Sequence, residues 1–171
     1  IGKIWVRGNY QFMISDPIAQ CQSALGLPVK GEIPAEHVWS NFWNERGVSG
    51  EVDCCRSPMI DTSEHNPTVL YRSDETEKWY QHIKSGLVYS IYDVATFKHS
   101  DSDFDGDIAL STNNEYFLKG AHRGESIITY EKGIARKEEI SQKNFVKKDL
   151  MGFGTAVGSL PNTATIIYAM I

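Results

Sequence analysis

Residues 101–107 read DSDFDGD, with Asp101, Asp103, Asp105 and Asp107 spaced two apart around Ser102, Phe104 and Gly106. Two carboxylates about 4 Å apart repel by about 1 kcal/mol in water and by about 4 kcal/mol at an effective dielectric near 20. A chain that gathers this much negative charge either leaves the segment solvated or uses it to hold a cation. Positions i, i+2 and i+4 share a side only when the backbone is extended or gently looped, because on a helix they scatter around the axis. Asp103, Asp105 and Asp107 can then converge, and Gly106 lets the chain curl tightly between them. Hard oxygen donors of this kind suit Mg²⁺ or Ca²⁺.

Three chemistries use such a loop. An EF-hand-like calcium-binding module fits at Asp101, Asp103, Asp105, Gly106 and Ile108, but its twelfth position, which needs a bidentate Glu, is Thr112. A haloacid-dehalogenase-like phosphatase, with the motif DxDGT after an apolar strand, matches Asp103, Asp105 and Gly106. It departs at Asp107 and at the polar KHSDS that precedes the motif. A nucleotide-polymerising site clamps two divalent ions between a few aspartates.

The wording DFDGD, residues 103–107, resembles the DxDGD signature of the double-psi β-barrel in two-barrel RNA polymerases, among them single-chain enzymes of phages and prophages. CCRSPM, residues 54–59, is similar to that family's R-x-P segment. SDPIAQCQSALGLPVKGEI, residues 15–33, is similar to the D-P…G…G-E segment of phage members. GFGTAVGSLPNTAT, residues 152–165, resembles the G-x-x-x-G-x-x-x-N-x-x-T helix that follows the barrel. DFDGD carries the specificity, and the shared order of the other segments adds weight.

The resemblance implies an α+β fold built on a double-psi β-barrel, a small mixed barrel of six strands with inserted helices and a helical C-terminal tail. It implies that Asp103, Asp105 and Asp107 hold the catalytic Mg²⁺, with Mn²⁺ as an alternative, and that a second Mg²⁺ arrives on the incoming NTP. Arg56 is expected at the ribose of that nucleotide, where a guanidinium suits fork-like hydrogen bonding; pairing with nearby acids is its plainer role. Gly106 is the structural turn, and Phe104 is expected in the barrel core. The implied partners are a nucleic acid template, the RNA product, NTPs and a second, lysine-bearing barrel in the same parent chain. Nothing in this sequence matches that second barrel, so the isolated chain is expected to be inactive.

The 171 residues allow one domain and an appendage, and 41% hydrophobic with 11% aromatic content excludes a disordered chain. The net charge of −5 gives no general basic excess for nucleic acid. Its distribution is uneven: residues 51–107 hold 12 acidic against 5 basic side chains, whereas residues 132–148 hold 6 basic against 2 acidic. That basic run reads as a solvated helix face or as a contact to a nucleic acid backbone. The three cysteines, Cys21, Cys54 and Cys55, are odd in number and make no CxxC pair. A reducing, cytoplasmic setting without a structural zinc site is therefore expected. The five histidines form no HExxH spacing and read as surface or half-buried residues. No run of about 18 apolar residues occurs, so no membrane span is expected. Ile1 in place of Met and the apolar ending TIIYAMI lead to the expectation of a fragment.

Along the chain, GKIWVRGNYQFMISDP, residues 2–17, reads as two short strands about Gly8-Asn9. A helix follows, with Asp16 as N-cap, Pro17 at the first position and Gly26 at the end. Pro34 to Arg46 reads as a second helix with Val38, Trp39, Phe42 and Trp43 on its apolar side and Gly47 as its stop. Strands are expected in GEVDCCRSP, HNPTVLYRS, LVYSIYDVATF, IALST and SIITYEKG. A capped helix is expected from Ser73 or Asp74 towards Lys84 and Gly86, and helical structure from Arg136 onward. The expected division is a barrel domain over 1–135 and a helical extension over 136–171 that continues into a larger protein.

Overall fold

The computed structural model describes residues 5–57, 59, 61–99, 102–121, 123, 137–152, 159, 163, 166, 167 and 170. Internal contacts divide the chain into two units, Ile1–Ser57 with Asp61–Ile127, and Pro58–Ile60 with Ile128–Ile171.

In the first unit, strands β1 (Gly8–Ser15), β2 (His37–Ser40), β3 (Gly50–Cys55), β4 (Asn66–Leu70), β5 (Gly86–Tyr89) and β6 (Ile108–Thr112) close into one barrel. The order around it is β1-β5-β2-β4-β3-β6. Pairs β1–β5 and β2–β4 are parallel, and the other four are antiparallel. This is the mixed six-stranded barrel, with helices between its strands, that the α+β double-psi reading calls for. Closure leaves no unpaired strand edge in the barrel.

Alternation along β1 sends Gln11 and Met13 inward and Tyr10 and Phe12 outward. Met13, Val38, Trp43, Val52, Cys54, Leu87 and Tyr89 fill the core with Ala109. A buried polar chain crosses the same interior. Trp43 Nε1 donates to Ser111 Oγ (2.9 Å), and Ser111 Oγ and Ser40 Oγ donate to Gln11 Oε1 (3.1 and 3.0 Å). Gln11 Nε2 in turn donates to the Gly86 carbonyl (3.0 Å). Each polar group has a partner, so the network specifies register without leaving a desolvated donor.

Helix α1 (Pro17–Ala24) starts as the sequence dictates: Asp16 caps it, and its Oδ1 accepts from Ile18 N–H (2.9 Å) and Ala19 N–H (3.3 Å). Asp16 does more than cap. Its Oδ2 accepts from Glu32 N–H (2.5 Å) and Ile33 N–H (3.1 Å), and Tyr80 O–H donates to Oδ1 (2.5 Å). Gly31 has φ +66, and a Cβ on it would stand 2.6 Å from Asp16 Oδ2. One fully buried carboxylate thus ties the D-P and G-E ends of this segment together. Burial pushes its pKa up, but Tyr80 O–H and the N–H groups of Glu32, Ile33 and Ala19 outweigh that and hold it below the usual range.

Several expectations need correction. Gly8-Asn9, expected as a turn, opens the continuous strand β1, and residues 2–4 of the strand expected before it lie outside the described residues. The helix expected over Pro34 to Arg46 is strand β2 followed by the single turn α2 (Asn41–Asn44), so His37 opens a strand. Pairing of Trp39 with Val88 and of His37 with Val69 fixes the extended form. The helix after Ser73 is α3 (Asp74–Trp79), closed by the Ser73/Thr76 capping box at its start, and Gly86 begins β5 instead of ending the helix. β5 stops at Tyr89, and α4 (Ala95–Lys98) replaces the rest of the expected strand. Helix α5 (Glu115–Gly120), capped by Asn114, was not anticipated. The SIITYEKG strand lies outside the described residues. In the second unit, α6 (Gln142–Gly152) is the main described element, and Asn144 N–H donates to Ser141 Oγ at its start (3.2 Å). No helix among the described residues is long and apolar enough to cross a membrane.

Candidate metal centre

The acidic loop joins α4 to β6. Ser102 fixes its entry, donating N–H to the Thr96 carbonyl (3.0 Å), and Met13 N–H of β1 donates to the Asp107 carbonyl (2.8 Å) at its exit. Between these anchors Asp103 N–H donates to Asp107 Oδ2 (3.1 Å) and Asp105 N–H donates to Asp103 Oδ1 (3.3 Å). The loop therefore folds back on its own carboxylates. Gly106 has φ +140, which strains any residue with a Cβ, although a Cβ there would meet no atom within 4 Å. Its requirement is conformational rather than one of space.

Carboxylate oxygens of Asp103, Asp105 and Asp107 lie within 4.8 Å of one another. Asp103 and Asp105 are exposed and Asp107 is half-buried. The Asp103 carboxylate beside Asp105, by hydrogen bond and charge, raises the Asp105 pKa, and Asp107 adds to it. Asp107 goes the other way. Burial pushes it up, but the Asp103 N–H and the Arg56 guanidinium hold it below the usual range. Arg56, just past β3, reaches across to Asp107 Oδ1 at 2.9 Å, with the two side chains 30% and 22% exposed. Three hard oxygen groups converge, one already balanced by a cation and another held reluctant to ionise by its neighbours. That donor set fits a divalent ion.

Of the residues singled out in the sequence, Asp103, Asp105, Asp107, Gly106 and Arg56 come together here. Asp101 lies outside the described residues, as does most of the segment 152–165. Phe104 does not enter the core: it is 43% exposed, with its ring centroid 6.4 Å from that of buried Tyr89. A six-residue turn through three acids has no strand alternation to carry it inward. Thr112, twelfth from Asp101, is buried in β6 and donates to the Arg7 carbonyl (2.7 Å), so it cannot serve a calcium loop. Of the basic run, Lys137, Lys143, Lys147 and Lys148 are exposed. His99 departs from the surface reading. It is fully buried beside Tyr89, and burial pushes its pKa down to about 4, which keeps it neutral. The Arg56–Asp107 pair, across 51 residues, is the plainer role expected of Arg56, a partner for acids, though the sequence did not say which acid.

No family model matches the chain. It is 30% identical over 173 residues to "DNA-directed RNA polymerase YonO" of Bacillus phage SPbeta, a match covering 98% of this chain and 20% of the phage protein. Its fold is similar to that of the "RNA dependent RNA polymerase QDE-1 from Thielavia terrestris", with a TM-score of 0.51 and 16% identity, over 94% of this chain and 17% of that one. The chain thus spans about a fifth of the length of each. With a closed mixed barrel and a phage relative matched over 98% of this chain, the chain is similar to two-barrel RNA polymerases over about a fifth of their length.

Proposed function

We propose that this chain is the metal-binding catalytic barrel of an RNA polymerase, a nucleotidyltransferase that extends an RNA 3′-hydroxyl with NTPs on a nucleic acid template. The observation that carries the reading is the convergence of Asp103, Asp105 and Asp107 on one loop, with Arg56 delivered to Asp107 from another strand. In this reading the three aspartates bind Mg²⁺, with Mn²⁺ as a substitute. Ions held by these aspartates would supply a lowered pKa for an attacking hydroxyl and charge neutralisation for phosphates. The barrel's own part is positional. The Ser102 and Met13 anchors fix both ends of the loop, Gly106 turns it, and Arg56 is released from Asp107 to contact the ribose of the incoming nucleotide.

A second, lysine-bearing barrel in the parent chain would bind the triphosphate. Residues 1–135 would form the catalytic domain and 136–171 a helical extension towards the rest of a larger protein, acting in the host cytoplasm. The isolated chain is then inactive, and metal-dependent RNA extension by it alone would refute that part.

Calorimetric titration of the chain with Mg²⁺, Mn²⁺ and Ca²⁺, beside Asp105→Asn, tests the site. Weak Mg²⁺ and Mn²⁺ binding that the variant loses, without Ca²⁺ preference, is expected. Tight Ca²⁺-selective binding would overturn the reading in favour of a calcium module. In the complete enzyme, Asp105→Asn should abolish synthesis while leaving the fold intact.

A further inference from the structure

A second cluster of ligand-type side chains sits on β3, apart from the aspartate loop. Val52 and Cys54 point into the barrel core, so Asp53 and Cys55 share the opposite face of the strand. His65, at the end of the 3₁₀ turn Thr62–Glu64, stands beside them just before the paired strand β4. Asp53 Oδ2 is hydrogen-bonded to His65 Nδ1 and accepts from Cys55 Sγ at 3.1 Å, and Cys55 Sγ lies 3.5 Å from His65 Nδ1. Asp53 is fully buried and Cys55 nearly so, while the His65 side chain is 17% exposed, with the Phe117 ring of α5 6.1 Å away.

A buried carboxylate on the outer face of a strand requires a cation or a full set of donors. Here one oxygen, Oδ2, takes both donors, and Asp53 Oδ1 has no partner among the described residues. The hydrogen-bonded arrangement is therefore incomplete on its own terms.

We propose that Asp53, Cys55 and His65 bind a zinc-type ion, at a site separate from the aspartate loop and independent of what that loop does. The donor set is one thiolate, one imidazole and one carboxylate, which suits a borderline-soft ion and not Mg²⁺. Zn–S near 2.3 Å and Zn–N near 2.05 Å at a tetrahedral angle place sulfur and nitrogen about 3.5 Å apart. The Cys55–His65 separation of 3.5 Å already meets this. The ion takes the place of the proton between His65 and Asp53 and spreads those two atoms to about 3.3 Å. Binding releases the Cys55 thiol proton, and a charged His65 gives up its Nδ1 proton as well while a neutral one keeps its proton on Nε2, so affinity rises with pH. Asp53 Oδ1 or a water completes the shell, and the exposed edge of His65 gives a route in. Cys55 directly precedes Arg56, so an ion here would stiffen the end of β3 from which Arg56 reaches Asp107.

Titration of the metal-free chain with Co²⁺, followed by displacement with Zn²⁺, tests this. The expected result is a one-to-one thiolate-to-cobalt charge-transfer band that Cys21→Ser and Asp105→Asn retain. Cys55→Ser should abolish the band, and His65→Gln should weaken binding by about 10-fold or more. No band, or one that survives Cys55→Ser, overturns the proposal. If Cys55→Ser does not fold, His65→Gln and native mass spectrometry of the wild type decide: one retained Zn²⁺ that His65→Gln loses supports the site, and none overturns it. Because Asp105→Asn removes the loop's metal and leaves this one, failure of either site is read separately.

Discussion

Replacing Asp16 by Asn isolates the tie between the D-P and G-E ends of residues 16–33. The change keeps size and one acceptor oxygen. In the better orientation, that oxygen still serves Ile18 N–H, Ala19 N–H and Tyr80 O–H, and the new NH₂ faces Glu32 N–H and Ile33 N–H. Two hydrogen bonds to a charged group, each worth about 1.5–3 kcal/mol, become donor against donor. The expected loss is about 3–5 kcal/mol. At about 2–4 °C per kcal/mol for a chain of this size, the melting temperature should fall by about 6–20 °C. Differential scanning calorimetry and urea unfolding at pH 7 measure it. The sign with pH is also fixed. The folded pKa of Asp16 lies below its unfolded value, so its contribution is present above the ordinary carboxylate range and is lost as pH falls through the folded value. The difference between wild type and variant should therefore narrow below pH about 4. A loss under about 1 kcal/mol at pH 7, or a difference that widens in acid, would refute the reasoning.

Other perturbations separate stability from chemistry. Asp105→Asn removes a carboxylate that its neighbours keep reluctant to ionise, so at pH 7 the variant should melt at or above wild type; a markedly lower melting temperature would contradict the repulsion argument. Arg56→Gln leaves Asp107 without its cation, and Mg²⁺ affinity of the chain should rise by about 3- to 10-fold at low salt by calorimetry. The same change should impair nucleotide incorporation by the complete enzyme; unchanged or weaker Mg²⁺ binding would show that Arg56 does not compete for the site. Gly8→Ala puts a Cβ 2.6 Å from the Ser111 carbonyl across the β1–β6 pair, and thermal unfolding should show a cost of about 1–3 kcal/mol.

The sequence made local features readable where local physics settles them. Asp16-Pro17 declared the start of α1 through capping, and Gly50–Cys55 and Ile108–Thr112 declared strands through β-branched and apolar content. DFDGD declared its loop because alternate carboxylates with a glycine admit few other shapes. Residues 37–43 misled because Val38, Trp39, Phe42 and Trp43 carry a helical period, whereas the conformation of the first part is set by pairing with β4 and β5. Gln11 looks unremarkable in the sequence and yet organises the buried polar chain, since its partners stand 29 and 100 residues away. Asp53 and His65 escaped for the same reason, because a search for CxxC or HExxH spacing sees neither a carboxylate on a strand face nor a histidine across the turn.

The pairing of β1 with β6 sets an order of events during folding. Gly8 meets Thr112 across nearly the whole barrel sequence, and the Arg7–Thr112 hydrogen bond spans 105 residues. Contacts between such distant residues carry the largest loop-closure cost and slow folding. The same closure brings Met13 N–H to the Asp107 carbonyl and so seats the end of the acidic loop. A nascent chain can make α1 and the Asp16 tie while β6 is still unsynthesised, but it cannot yet pair β6 with β1 and so hold the Asp107 end of the loop in place. If the three aspartates hold an ion as proposed, their affinity for it should reach the native value only once β6 has docked.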